Sequence, residues 1–134
     1  MGYLTEIEAG NLLANAKQAS GHTYSPYSEF AVGAAVLTSD GKIYLGSNIE
    51  NASYSLTICA ERVAVGNAFS SGQTKIKAIA VWSDTNSISP CGACRQFLIE
   101  FGKDIVIIFL HNKEIIQKTI DELLPFGFTS SNLK

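Results

Sequence analysis

The sequence has no apolar run long enough to cross a membrane. Its longest unbroken aliphatic and aromatic stretch is Ile105 to Leu110, against the roughly 20 residues a spanning helix needs. The opening Met1-Gly2-Tyr3-Leu4-Thr5-Glu6 has no basic region and no long apolar stretch, so no secretory signal is legible. Glu6 stands where a myristoylation pattern wants Ser or Thr. Excess positive charge is missing too: ten Lys+Arg face twelve Asp+Glu, for a formal charge of -2. Chains that grip nucleic acid carry a basic face or stripe, so neither nucleic acid nor a membrane is an expected partner, and a small, weakly charged ligand fits better. Cysteine is scarce, and its count of three is odd. That argues against a disulfide framework and suits a reducing compartment. Asn51-Ala52-Ser53 fits the glycosylation sequon, a triplet that often arises by chance. The cytoplasm is the expected location.

What is present fits one globular domain, 1–134. The chain has 134 residues, 46% of them apolar, with no internal repeat, low-complexity stretch or linker. Thr5 and Glu8 have capping-box spacing. After them Ile7, Leu12, Leu13, Ala16 and Ala19 follow helical spacing until Gly21. A loop from His22 to Glu29 leads to a short apolar run, Phe30 to Leu37, and Asp40-Gly41 turns the chain back through Lys42 to Ser47 as a hairpin. The sequence predicts a polar loop from Asn48 to Ile58, a helix from Cys59 to Phe69 and a strand from Ile76 to Trp82. Ser89 as cap and Pro90 in the first turn predict a second helix, Cys91 to Phe101, stopped by Gly102. A buried strand from Asp104 to Leu110 follows, and Thr119 with Glu122 suggests another capping box, for a short helix ending near Pro125. Alternating strands and helices make the class α/β, a central sheet covered on both faces, and the opening hairpin makes that sheet mixed.

The chemistry centres on Cys91-Gly92-Ala93-Cys94. Residues three apart on a helix share a face, so both sulfurs can point at one ion. The free N–H groups and positive dipole end of that turn stabilise thiolates. A thioredoxin-like redox pair has the same spacing, and two inert buried cysteines are the bland alternative. Cys59, at the start of the other helix, supplies a third thiolate. There is no fourth cysteine. Structural zinc sites take four protein ligands, whereas catalytic ones keep three and leave one place to water. The count therefore favours catalysis unless His22 or His111 closes the site. Three thiolates exceed the charge of zinc by one unit, which calls for a nearby cation. Arg62, one turn after Cys59, can supply it while hydrogen-bonding sulfur. Glu61 can sit beside the open position as base and then acid. Taken alone it would be a solvated helix-opening glutamate.

Cys59-Ala60-Glu61 followed by Pro90-Cys91-Gly92-Ala93-Cys94 has the pattern of the zinc nucleobase deaminases. In those enzymes a metal-activated water attacks C4 of cytosine or C6 of adenine, and a non-ligand glutamate carries protons. Three further motifs resemble the small homotetrameric cytidine deaminases in particular. They are Phe30-Ala31-Val32-Gly33-Ala34-Ala35-Val36, Asn48-Ile49-Glu50-Asn51-Ala52-Ser53-Tyr54 and Leu123-Leu124-Pro125-Phe126-Gly127-Phe128. They run in family order from about Tyr24 to Phe128, nearly the whole chain.

The resemblance implies a three-layer α/β/α fold, zinc held by Cys59, Cys91 and Cys94, and proton transfer by Glu61. Asn48 and Glu50 match residues that hydrogen-bond the sugar 3′-hydroxyl. Ala52 falls in the same substrate-binding loop, Phe30 matches an aromatic near the pyrimidine, and Ala60 the backbone donor to the base carbonyl. Arg62 matches the thiolate-neutralising arginine. Tyr54 and Phe128 match residues that reach a neighbouring subunit's pocket, Phe128 stacking on the base. Thr57 departs from the glycine common at its position, and Phe126 adds an aromatic beside Phe128.

The implied reaction is hydrolytic deamination of cytidine and 2′-deoxycytidine, as in pyrimidine salvage, by a homotetramer. A deaminase acting on blasticidin S is a rival, although the Asn48 to Ala52 motif favours ribose recognition. An editing enzyme would need a basic channel. A non-enzymatic zinc or redox module would leave Glu61 and Glu50 unexplained.

Overall fold

The structure, a computed structural model, describes residues 2–85 and 87–133. Met1 and Lys134, the ends of the expected domain, lie outside the described residues, as does Asn86. Helix α1, Glu6–Ala19, starts at the expected capping box: Thr5 accepts the Glu8 N–H and the Glu8 carboxylate accepts the Thr5 N–H. Its buried face is Ala9, Leu12, Leu13, Ala16 and Ala19. Ile7, which the spacing assigns to that face, is 86% exposed.

Strands β1, Val32–Thr38, and β2, Ile43–Ser47, form the hairpin. Helix α2, Ala60–Ser70, leads to β3, Ile76–Ser83. Helix α3, Gly92–Ile99, leads to β4, Val106–His111, which turns into β5, Glu114–Thr119, and the short α4, Ile120–Leu123. The sheet order is β2-β1-β3-β4-β5. Only β3 and β4 pair in parallel, with Ile79 beside Ile107; the other neighbours are antiparallel, so the sheet is mixed as expected. Cys91 rather than Ser89 is the N-cap of α3, and β5 had no counterpart in the sequence reading.

Strand alternation divides the core in two. Ala34, Val36, Ile79, Val81, Ile107 and Phe109 meet α2 and α3 on one face. Ala35, Ala78, Ala80, Val106 and Ile108 meet α1 on the other. This is the three-layer α/β/α arrangement. Two glycines set the spacing between layers. A Cβ at Gly33 would collide with the Ala16 carbonyl, and one at Gly46 with the backbone of Ala60 and Ala64. The second contact seats the first turn of α2 directly on β2.

Topology then gathers one end of the sheet. β2 and β3 are both antiparallel to β1, so their C-terminal ends lie on the same edge. Each feeds a helix there, which brings the N-termini of α2 and α3 together beside the start of β1. Crevices at the carboxyl ends of strands are where α/β sheets place ligands.

Candidate metal centre and active site

Cys59 is the N-cap of α2 and Cys91 the N-cap of α3, and neither side chain makes a capping hydrogen bond. Their sulfurs are left for something else. Cys94 lies three residues after the cap of its helix, the spacing that makes side chains meet in a capping box. The sulfurs of Cys59, Cys91 and Cys94 all lie within 4.8 Å of one another, and Cys59 and Cys91 are 3.9 Å apart. Tetrahedral Zn–S bonds of about 2.3 Å require sulfurs about 3.8 Å apart. The donor set and its spacing fit zinc. Neither His22 nor His111 belongs to the group, and the His111 imidazole is 3.4 Å from the Ser87 hydroxyl instead.

Arg62 repeats the same three-residue offset on α2, and its Nη2 donates to the Cys59 sulfur at 3.7 Å. Its Nε is buried without a hydrogen-bond partner. Cationic N–H groups at the edge of a thiolate cluster balance charge that zinc alone leaves over. Hydrogen bonding from Cys94, followed by Arg62, lowers the Cys59 thiol to about 5. Cys94 is pushed up, chiefly as the donor to Cys59.

Glu61, beside Cys59 in the first turn of α2, is only 4% exposed. Burial raises its carboxyl to about 7, and the Cys59 negative charge adds to the shift while its own backbone N–H opposes it. A buried carboxyl poised near neutrality can both take and return a proton.

Cys59, Cys91 and Glu61 face a cleft of about 280 Å³ whose lining also includes Phe30, Asn48 and Ala60. Asn48 is also a clamp. Its Oδ1 accepts from the Val32 N–H at 3.0 Å and from the Thr23 hydroxyl, and its Nδ2 donates to the Phe30 carbonyl at 2.7 Å. That leaves one amide hydrogen free. Ala60 is fully buried at the first position of α2, where backbone N–H groups have no intrahelical acceptor.

A larger cleft of about 410 Å³ is lined by Tyr27, Ser28, Glu50, Tyr54 and Thr57. It holds none of the thiols, but Thr57 lines both clefts, so they adjoin. Glu50 therefore stands in the antechamber, where it accepts the backbone N–H groups of Tyr27 and Ser28 at 3.0 and 3.1 Å and the Ser28 hydroxyl. Those bonds, above all from the Ser28 side chain, hold its carboxyl below the usual range. Ala52 is exposed on the intervening loop, and Tyr54 packs edge-on against Tyr27. Phe128 lines neither cleft of its own chain and is 56% exposed. Tyr27, Ser28 and Ile88 carry no signal of a site in the sequence, and Ser89 is expected there only as a helix cap. Pro26-Tyr27-Ser28 is a turn-like loop without periodicity, and only the fold brings it to Glu50.

The family profile described as the cytidine and deoxycytidylate deaminase zinc-binding region matches residues 7–110. The chain belongs to that family. A cytidine deaminase of Sporosarcina psychrophila is 45% identical over 130 residues, covering 95% of this chain and 96% of the relative. The crystal structure of cytidine deaminase from Burkholderia pseudomallei superposes with a TM-score of 0.85 at 41% identity, covering 93% of this chain and 100% of that one. A blasticidin-S deaminase of Bacillus cereus is 34% identical over 107 residues, covering 73% of this chain and 76% of the relative. Membership of this family makes the protein a zinc-dependent deaminase, with the three cysteines positioned for the metal. Among the described residues no helix is long and apolar enough to cross a membrane.

Proposed function

We infer that this chain hydrolyses cytidine and 2′-deoxycytidine to the uridine products and ammonia. The observation that carries the reading is Glu61, buried beside the three-sulfur cluster at the wall of the cleft. Cys59, Cys91 and Cys94 hold zinc, which when bound lowers the pKa of the attacking water. Glu61 would take one proton from the attacking water and give it to N3 of the pyrimidine. It would then take the second from the hydroxyl added at C4 and deliver it to the departing amine, which leaves as ammonia. Arg62 balances thiolate charge. The Ala60 N–H meets the base carbonyl, and Phe30 packs near the ring. The free Asn48 N–H and the Glu50 carboxylate meet the 3′-hydroxyl, a group that both accepts and donates. Ala52 and Tyr54 complete the loop around the sugar.

Assembly belongs to the same reading. Tyr54, Phe126 and Phe128 are exposed aromatics near the chain's open cleft or on its C-terminal segment. Phe126 also holds a left-handed backbone, φ 57°, which a non-glycine residue adopts at a cost of roughly 1–2 kcal/mol. Burial against other copies of the chain gives these side chains a place, with Phe128 stacking on the base in a neighbour's site. The working unit is a homotetramer of 1–134 domains in the cytoplasm, serving pyrimidine salvage.

Ultraviolet monitoring of purified protein with cytidine, deoxycytidine, cytosine, adenosine and blasticidin S tests the assignment. Turnover of the two pyrimidine nucleosides is expected. Turnover of blasticidin S alone would replace the substrate while leaving the chemistry.

A further inference from the structure

Each thiol of the metal cluster is held differently. Cys94 is buried within α3, and Cys59 is gripped by Arg62. Cys91 is exposed, and among the described residues its only side-chain hydrogen-bond contact is the Cys59 sulfur itself. The direction of its sulfur therefore depends on the backbone of the segment that ends in Pro90. Proline limits one torsion there but provides no N–H to anchor the segment.

Arg95 provides that anchor. It follows Cys94 on α3, and its guanidinium reaches back to donate from Nε to the Pro90 carbonyl at 2.8 Å. Nη2 donates to the Ser89 hydroxyl at 3.2 Å. Nη1 points the other way, to the Leu123 carbonyl at 2.8 Å, where α4 ends and the C-terminal segment departs. The acceptors are two carbonyls and a hydroxyl, with no carboxylate among them, so the planar fork serves to fix two pieces of backbone in one geometry. Gln96, the next residue, donates from Nε2 to the Phe128 carbonyl at 2.8 Å. The turn of helix that carries Cys94 thus holds the Cys91 segment on one side and the Phe128 segment on the other.

We propose that Arg95 is a positioning residue for the metal centre, which fixes Cys91 through the Pro90 carbonyl and joins that segment to the C-terminal one at Leu123. The proposal rests on the cysteine cluster being the metal site, and its test keeps the two apart. Wild-type protein and the variants Arg95→Met, Arg95→Lys and Gln96→Met are purified with zinc, and transfer of the metal to the chelator 4-(2-pyridylazo)resorcinol is timed. Cobalt-substituted samples report the thiolate-to-metal charge-transfer band, and kcat and KM are measured separately.

Arg95→Met is expected to release zinc about tenfold faster, the low end of what disturbing a ligand's support costs. Its cobalt band should shift and its kcat should fall. Arg95→Lys keeps the charge, but its donors sit on one nitrogen and lack the fork that spans Pro90, Ser89 and Leu123, so it should fall between. Gln96→Met should release zinc at the wild-type rate while raising KM alone. Wild-type zinc release, cobalt spectrum and kcat in Arg95→Met would overturn the proposal. If that variant fails to fold, the same three wild-type readings in Arg95→Lys would overturn it equally. Wild-type protein lacking one zinc per chain would instead remove the metal-site reading itself.

Discussion

The carboxylate of Glu50 holds Ser28 from two sides, Oε1 accepting the Ser28 backbone N–H at 3.1 Å and Oε2 its hydroxyl. With the Tyr27 N–H also on Oε1, one acceptor position on Oε2 remains for a ligand. A glutamine at this position can keep its carbonyl oxygen on the two backbone N–H groups and turn its NH₂ toward Ser28. The loop survives, and only the free acceptor is lost. Glu50→Gln should therefore raise KM for cytidine by about 5- to 150-fold, the equivalent of roughly 1–3 kcal/mol for an unmet polar partner. Activity on 3′-deoxycytidine should change little. Equal losses on both substrates would show that Glu50 acts through the loop and not on the sugar.

Glu61→Gln separates proton transfer from architecture. The amide is nearly isosteric with the carboxyl, so the fold and one zinc per chain should persist. Turnover should drop by about 10²- to 10⁴-fold or more, since the same group serves several proton transfers. Retained activity within a few-fold of wild type would remove Glu61 from the mechanism.

Local signals carried most of the sequence reading. The two capping boxes, Thr5 with Glu8 and Thr119 with Glu122, place both helix starts where the structure has them. The cysteine motifs located the metal centre because helix-start geometry is itself local. β5 stayed hidden for a physical reason. It is an edge strand, largely exposed, that exists by pairing with β4. Its turn, Asn112-Lys113, takes positive φ at both residues without the glycine that usually marks such hairpins. Ser89-Pro90 misdirected the start of α3, because Cys91 occupies the cap while Ser89 accepts from Arg95. The hold of Tyr27 and Ser28 on Glu50 spans more than twenty residues of sequence and comes only from the fold.

One zinc per chain should remain in a His22→Ala, His111→Ala double variant. Neither imidazole joins the sulfur cluster, so no histidine of this chain is expected as the fourth ligand. Metal analysis after gel filtration decides the matter. Loss of zinc from the double variant would place the site in the closed, structural class.

Acid stability should report the two capping boxes. Glu8 and Glu122 both titrate below their ordinary 4.5, each chiefly because its carboxylate accepts the backbone N–H of its cap residue. A depressed native pKa contributes stability above the unfolded value and loses it as pH falls through the native one. Glutamine still completes a capping box but does not titrate. A Glu8→Gln, Glu122→Gln variant should therefore lose less Tm than wild type between about pH 5 and pH 3. The sulfur cluster is untouched in both proteins, so metal loss at low pH cancels in the comparison. Identical acid slopes would show that these carboxylates do not contribute to acid unfolding.

Phe128 provides the sharpest test of a shared site. It lies on the segment that leaves α4 at Leu123, tied to α3 by Gln96, and its ring lines neither cleft of its own chain. If it stacks on a base held by another subunit, no isolated chain has a complete site. Stacking of an aromatic on a base is worth about 1–3 kcal/mol, so Phe128→Ala should raise KM while zinc stays bound. Phe128→Ala and Glu61→Gln then fail in different halves of the site. When the two proteins are dissociated, mixed and reassembled, some sites combine an intact Glu61 with a neighbour's intact Phe128. Such mixtures should exceed the summed activity of the separate variants at low substrate, where KM governs the rate. Wild-type protein taken through the same cycle controls for recovery. If it recovers fully and the mixture gains nothing, Phe128 does not act across subunits, and its exposure must be explained by some other contact.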